Sequence, residues 1–459
     1  MKKEKFFLRG NKMKDLTKGK PSRLILAFAL PIFLANLLQL TYSLVDTRIV
    51  GTFLGEDALA AVGATSSLSN LIIGFLMGLS NGFAIITAQR FGAKDLRGVK
   101  KSFAMSLTLG IAVAAGLTVL GLLFLQPILR FLNVPENLRT MAGSYIVIII
   151  AGLIATFLYD ACAAALRALG DTITPLVILA ISVILNIAGD LFFVVVLKTG
   201  VRGAAVATVS AQALAFVICW IYMIKRYELL RLSRDDFKEP QPQMIQSMLS
   251  AGLSMGFMSS LINIGSLTLQ TAINKLGNDY IVAQTAARKL TEMFMIMFTV
   301  FGNTMATYCG QNLGAGKIDR IKRGIWLAIF YTCIWCTLVI VASYTIGDKL
   351  VYMVTGSKNA EVLKNATNYL KFDTLFYFVT AVICVVRNAM QGLGDHITPL
   401  VSSSLEMIGK IVIAATLVPW FGYTGVIVAE PLVWFIMVIP LLIQIFRMPV
   451  LKNNILTKS

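Results

Sequence analysis

The sequence predicts an all-α membrane protein of about twelve transmembrane helices, arranged as two six-helix lobes related by a parallel internal repeat. Three observations carry this reading. The 459-residue chain is 57% hydrophobic and only 14% charged, with a mean hydropathy of +0.77, whereas a soluble domain carries roughly a quarter charged residues. Apolar runs of the ~20 residues that a hydrocarbon slab demands recur along nearly its whole length. The second half also repeats motifs of the first.

The apolar segments fall at 23–47, 61–88, 102–129, 141–166, 173–197, 203–224, 248–274, 282–309, 325–346, 366–390, 398–420 and 424–446. Their connections are short except for 225–247, which is charged and proline-bearing and reads as a surface linker. The organisation expected is an N-terminal lobe over 1–224 with a basic cytoplasmic start, a cytoplasmic linker over 225–247, and a C-terminal lobe over 248–459 with a short cytoplasmic tail. No small-residue cleavage site follows a short apolar core near the N-terminus, so the first segment reads as a retained helix.

The net charge of +18 has no separate polar domain from which to face nucleic acid. By position, Lys and Arg gather on one side. They comprise Lys2, Lys3, Lys5, Arg9, Lys12, Lys14, Lys18, Lys20 and Arg23, then Arg90, Lys94, Arg97, Lys100 and Lys101, then the linker, then Lys317, Arg320, Lys322 and Arg323, then the tail. Positive loops stay in the cytoplasm, which puts both termini there, in a multi-pass protein of the plasma membrane (the inner membrane of a bacterial cell). The loop 348–371, with Lys349, Lys358, Lys364 and Lys371, dilutes the contrast. The lipid bilayer suffices as a partner for the basic charge. Cys162, Cys219, Cys309, Cys333, Cys336 and Cys384 all lie in or beside apolar segments and read as small buried hydrophobes, not as a disulfide framework.

Self-comparison supplies the repeat. QRFGAKDLRGVKK at 89–101 aligns with QNLGAGKIDRIKR at 311–323, an offset of 222 residues. ALGDTITPLV at 168–177 aligns with GLGDHITPLV at 392–401 (offset 224), and GVRGAAVA at 200–207 with GYTGVIVA at 422–429 (offset 222). Six helices per half is an even number, so both halves sit the same way up, the arrangement in which transporters place a cavity between two bundles. In the repeated LGDxxTP, Gly170 and Gly394 suit left-handed helix ends. Asp171 and Asp395, or the threonines, suit caps of the next helix, with Pro175 and Pro399 in its first turn. His396, the only histidine, reads as a solvated or capping turn residue.

Ionisable residues inside apolar segments mark ion or substrate paths, because each is costly in hydrocarbon. Asp46 on the first helix and Asp190 on the fifth fall in one lobe. Asn186 shares a face with Asp190 four residues on, and the sixth helix brings in Thr208. These hard oxygen donors could hold a sodium ion, share one proton, or simply bond the helices together. The second half lacks the set, since the shifted positions are Thr268 and Ala414. It has instead Glu406 and Lys410 four apart, Glu430 before Pro431, and Arg288 and Glu292 four apart, read as paired charges lining a wet interior, some of them candidates for substrate contact or gating. The stretch EMFMIMF at 292–298, with Met293 and Met297, is either an adaptable apolar wall for ligands or lipid-facing filler. Asp160 adds an acid to the fourth segment.

In this order Pro31, QRFGA, QNLGAGKIDR, LRALGDTITP, NIAGD, GVRGAAVAT, RNAMQGLGD and GxxGxxxAEPxxW (422–434) resemble the multidrug and toxic compound extrusion (MATE) family, from the first helix to the twelfth. The resemblance implies two lobes around a V-shaped cavity, alternating access, and export of small organic, often cationic compounds against sodium ions or protons. It implies no cofactor beyond the coupling ion, and Asp46, Asn186, Asp190 and Thr208 match the family's N-terminal-lobe cation site position by position. Residues 248–274 lack the acid that other members carry there, Asp160 stands where relatives often have Asn, and Lys410 where Arg is common. The chain is expected to be a monomer and not an enzyme. A flippase for lipid-linked precursors, or a receptor or scaffold without transport, are the alternatives.

Overall fold

The computed structural model describes residues 14–132, 134–238, 241–356 and 359–452. Lys2, Lys3, Lys5, Arg9 and Lys12 of the basic start, Lys358, and the tail beyond Lys452 lie outside the described residues. Among those described, the chain is helical without strands. Its first half runs α1 (Pro21–Leu54), α2 (Glu56–Gly92), α3 (Leu96–Leu123), the short α4 (Leu125–Phe131), α5 (Glu136–Ala151), α6 (Leu153–Ala168), α7 (Ile173–Asp190) and α8 (Val201–Arg226). Its second runs α9 (Pro242–Ile273), α10 (Asn278–Gly314), α11 (Ile318–Thr355), α12 (Ala360–Leu375), α13 (Tyr377–Gly392), α14 (Ile397–Ala415), α15 (Leu417–Phe421), α16 (Tyr423–Arg447) and α17 (Pro449–Lys452).

Among the described residues nine helices are long and apolar enough to cross a membrane, or eleven counting two bent pairs as single spans: α5 with α6 (45°) and α12 with α13 (54°). The remaining segment, α10, is 37 residues long, about 55 Å at 1.5 Å per residue, but Arg288, Lys289 and Glu292 make it more polar. The breaks fall at Gly152 and Phe376. The twelfth segment is one continuous helix through Pro431 and Pro440.

The chain divides into two compact units, Met1–Leu16 with Leu30–Gly256, and Thr17–Ala29 with Phe257–Ser459. In unit 1, α2 packs on α3, α5 and α6, and α7 on α8, around Leu76, Leu79, Phe83, Phe103, Phe157 and Leu166. In unit 2, α10 packs on α11, α12 and α13, and α14 on α16. There Lys317 Nζ donates to the Thr17 carbonyl (2.7 Å) and Arg320 Nη1 to that of Gly19 (2.8 Å), so two charges of the basic loop also hold the segment leading into α1.

The sequence repeat coincides with left-handed backbone. Lys94 and Gly316 (φ 60° and 67°), Gly170 and Gly394 (84° and 91°), and Gly200 and Gly422 (66° and 57°) are equivalent pairs, and glycine is the residue that adopts such angles without steric cost. The motifs persist where the backbone leaves least choice. Asp171 Oδ1 accepts from the N–H groups of Ile173 (3.1 Å) and Thr174 (3.0 Å), and Asp395 Oδ1 from those of Ile397 (3.2 Å) and Thr398 (3.0 Å). Their second oxygens accept from Tyr227 Oη and from Gln444 Nε2 (3.1 Å) respectively, tying one turn to the C-terminal end of α8 and the other to that of α16.

Gly392 opens the second of these turns, and a methyl group there would lie 2.5 Å from the Ala306 carbonyl oxygen of α10. Its counterpart in the first half is Ala168. Gly392→Ala is therefore expected to cost about 1–3 kcal/mol by overpacking, read as a lowered melting midpoint. A midpoint equal to wild type would show that α10 and α13 do not depend on this close approach.

His396 is not solvated, and Asp395 does the capping. Its ring is buried, with Nδ1 2.7 Å from Gln391 Oε1. Burial lowers its pKa below 6.5, against an opposing pull from Asp395. The folded state thus disfavours the charged ring, and its contribution to stability is complete above the unfolded value and lost as pH falls through 6.5. His396→Gln is expected to reduce the stability lost between about pH 7.5 and 5.5. Equal losses in variant and wild type would exclude the histidine as the source.

Candidate functional site

Unit 1 gathers the four residues singled out in its sequence. Tyr42 and Asp46 lie four apart on α1, Asn186 and Asp190 four apart on α7, so each pair shares a helix face. Asp190 closes α7, and the chain continues as a π-helical turn over Leu191–Val196, a distortion often found at functional sites. Thr208 on α8 places its hydroxyl 3.5 Å from Tyr42 Oη. In the orientation that satisfies both ends of its amide, Asn186 donates to Asp190 Oδ2 (3.1 Å) and to Tyr42 Oη (3.2 Å), and accepts from the Thr208 N–H (3.1 Å). The Asp46 and Asp190 carboxyls stand within hydrogen-bonding reach of each other, with Tyr145 of α5 alongside. Asp190 is fully buried. One oxygen on each carboxylate, Oδ1 of Asp46 and Oδ1 of Asp190, is buried without a hydrogen-bond partner.

Buried oxygens are nearly always satisfied, and two facing carboxylates repel unless a proton or cation lies between them. The oxygens gathered here are those of the two carboxyls with the Tyr42 and Thr208 hydroxyls beside them, the Asn186 amide oxygen being taken by the Thr208 N–H, and hard oxygens suit a hard cation such as sodium. Tyr42 was not anticipated. Its signal was present, a phenol one turn before an intramembrane acid on the same face.

Asp160 does not join this cluster. It lies on α6 near Arg167, whose Nη2 donates to Asn81 Oδ1 (3.0 Å).

Unit 2 holds a different network. Lys410 Nζ on α14 lies 3.0 Å from Glu406 Oε1, 3.1 Å from Glu430 Oε1 on α16 and 3.4 Å from Ser266 Oγ. Arg387 Nη1 on α13 is 3.8 Å from Glu406 Oε2 and 3.3 Å from Ser403 Oγ. Asp373 on α12 is buried beside Glu430, Lys410 and Tyr377. The sequence brought out Glu406, Lys410 and Glu430, which the structure unites. It passed over Asp373 and Arg387, which the same rule about acids and bases in apolar segments would have found. On α10, Glu292 pairs at 4.0 Å with Lys289 and not with Arg288, and both partners are about half exposed. The i,i+3 neighbour takes the role expected of the i,i+4 one. Met293 is exposed and Met297 half-buried.

A duplicated bundle of long apolar helices with buried carboxyls inside one half has the architecture of a multi-pass membrane transporter. The MatE family model matches residues 31–192 and 254–416, two blocks that begin 223 residues apart, as the internal repeat requires. The chain belongs to this family, the multidrug and toxic compound extrusion transporters, which move small molecules through the membrane without a cofactor and are not enzymes. It is 27% identical to a probable multidrug resistance protein, YpnP, of Bacillus subtilis, over 90% of this chain and 92% of that one. It is 22% identical to the multidrug export protein MepA of Staphylococcus aureus (89% and 90% covered) and to an FAD transporter of Shewanella oneidensis (92% and 94%). Among solved structures, a MOP superfamily transporter from Pyrococcus furiosus superposes with a TM-score of 0.89 at 21% identity, covering 97% of this chain and 99% of that one. An outward-facing MATE transporter gives 0.88 at 21%, with the same coverage.

Proposed function

We propose that the protein is a cation-coupled antiporter that exports small organic, cationic or amphipathic compounds by alternating access. It would act as a monomer in the plasma membrane with both termini in the cytoplasm. The observation that carries the reading is the facing Asp46–Asp190 pair, with two buried carboxylate oxygens free of hydrogen bonds and Asn186, Thr208 and Tyr42 around them. A sodium ion or proton there neutralises the repulsion between helices α1 and α7 and so favours the arrangement in which they pack closely. Substrate that prefers the other arrangement competes with the ion through that equilibrium, and the coupling is reciprocal. The multidrug names of the relatives support the substrate class.

The test is dye efflux in inverted vesicles with sodium and pH gradients imposed separately. One of the two gradients should drive export in wild type, and neither should in Asp46→Asn or Asp190→Asn. Export at the wild-type rate by these variants would refute the site.

A further inference from the structure

Unit 2 carries a groove of about 360 Å³ whose lining includes none of the residues of its polar network, formed by α11, α13, α16 and the short α17. Ile329 and Val386 form part of its apolar wall, Trp326 and Phe446 stand at its rim, 69% and 71% exposed, and Lys322 and Lys452 belong to it. Lys322 lies near the start of α11 and Lys452 ends α17, so both cations sit at the helix-terminal end of an otherwise apolar slot. Among the described residues that line it, none is acidic.

We propose that this groove binds an anionic phospholipid, with an acyl chain along the Ile329–Val386 wall and the headgroup phosphate between Lys322 and Lys452. The apolar wall alone would accept any lipid tail. Selectivity comes from the two ammonium groups, which can bury their stems beside Trp326 and Phe446 while keeping their charge at the interface. Each basic residue near an anionic lipid surface favours it by enough that a pair gives a preference of about tenfold to thirtyfold. Trp326 has the character of the aromatic residues that gather at membrane interfaces. This site is independent of the coupling ion, and its occupancy is readable without transport.

The experiment uses the full chain in phosphatidylcholine nanodiscs containing either phosphatidylglycerol or phosphatidylcholine with brominated acyl chains, which quench nearby tryptophan. Trp326→Phe identifies the Trp326 part of the signal. Brominated phosphatidylglycerol should quench that part at about a tenfold lower mole fraction than brominated phosphatidylcholine. The preference should vanish in Lys322→Gln/Lys452→Gln, with the maximal quenching retained. Equal quenching by both lipids in wild type overturns the proposal. So does a preference that survives the double variant, or one that appears only after removal of residues 453–459, which would make the chain's own tail the occupant.

Discussion

Asp190→Asn is expected to lower ion-driven export by about a hundredfold or more while leaving the protein folded. The amide has nearly the shape of the carboxyl, and its oxygen can still accept the 3.1 Å hydrogen bond from Asn186, so packing at the end of α7 is preserved. What it removes is one of the two charges that would hold the ion. Losing a charged partner in a buried pair costs about 3–5 kcal/mol, which is more than two decades of affinity. Asp46→Asn should do the same. Because the two carboxyls form one site, the double variant should be little worse than either single one, the non-additivity expected of groups in contact. Losses that multiply would mean two independent sites. Binding of dye to the purified variants, measured without a gradient, separates lost coupling from lost structure. Strong ion-driven export by Asp190→Asn would remove the basis for placing the ion here.

The sequence disclosed the frame of this molecule more fully than its polar interior. Apolar length marks every span but the more polar α10, and the backbone constrains the turns so tightly that Gly170, Gly200, Gly394 and Gly422 are legible as repeats. Helical spacing also exposed the pairs Asn186–Asp190 and Glu406–Lys410, since i,i+4 neighbours must share a face. Spacing does not say which faces of different helices meet. Tyr42 joins the first cluster only because α1 lies against α7 and α8, and Asp373 and Arg387 join the second only because α12 and α13 pack against α14 and α16. The bends at Gly152 and Phe376 were also hidden, since neither position carries a proline. At Gly152 a side chain would strike Val209 of α8, which glycine avoids. The prolines, which are visible, do not interrupt α16.

The unit 2 network yields the second large effect. Lys410→Met is expected to destabilise the protein by about 3–5 kcal/mol, lowering the melting midpoint in mild detergent by about 5 °C or more. Lys410 is the cation shared by Glu406 and Glu430, at 3.0 and 3.1 Å. Without it, Glu430 loses the one ion-pair partner seen among the described residues, and Glu406 keeps only the longer contact to Arg387 at 3.8 Å. The cost is that of stranded charge, not the net worth of the bridge, because desolvation offsets most of what a buried pair gains. This distinction can be measured. Lys410→Arg retains the charge and should stay near wild type, and Lys410→Met/Glu406→Gln/Glu430→Gln, which removes the stranded acids with their cation, should recover most of the loss. If the triple variant is as unstable as Lys410→Met alone, the side chains matter for packing and not for charge. If the single variant melts with wild type, the glutamates do not depend on Lys410, and the network must draw its compensation from Arg387 and the polar groups around it.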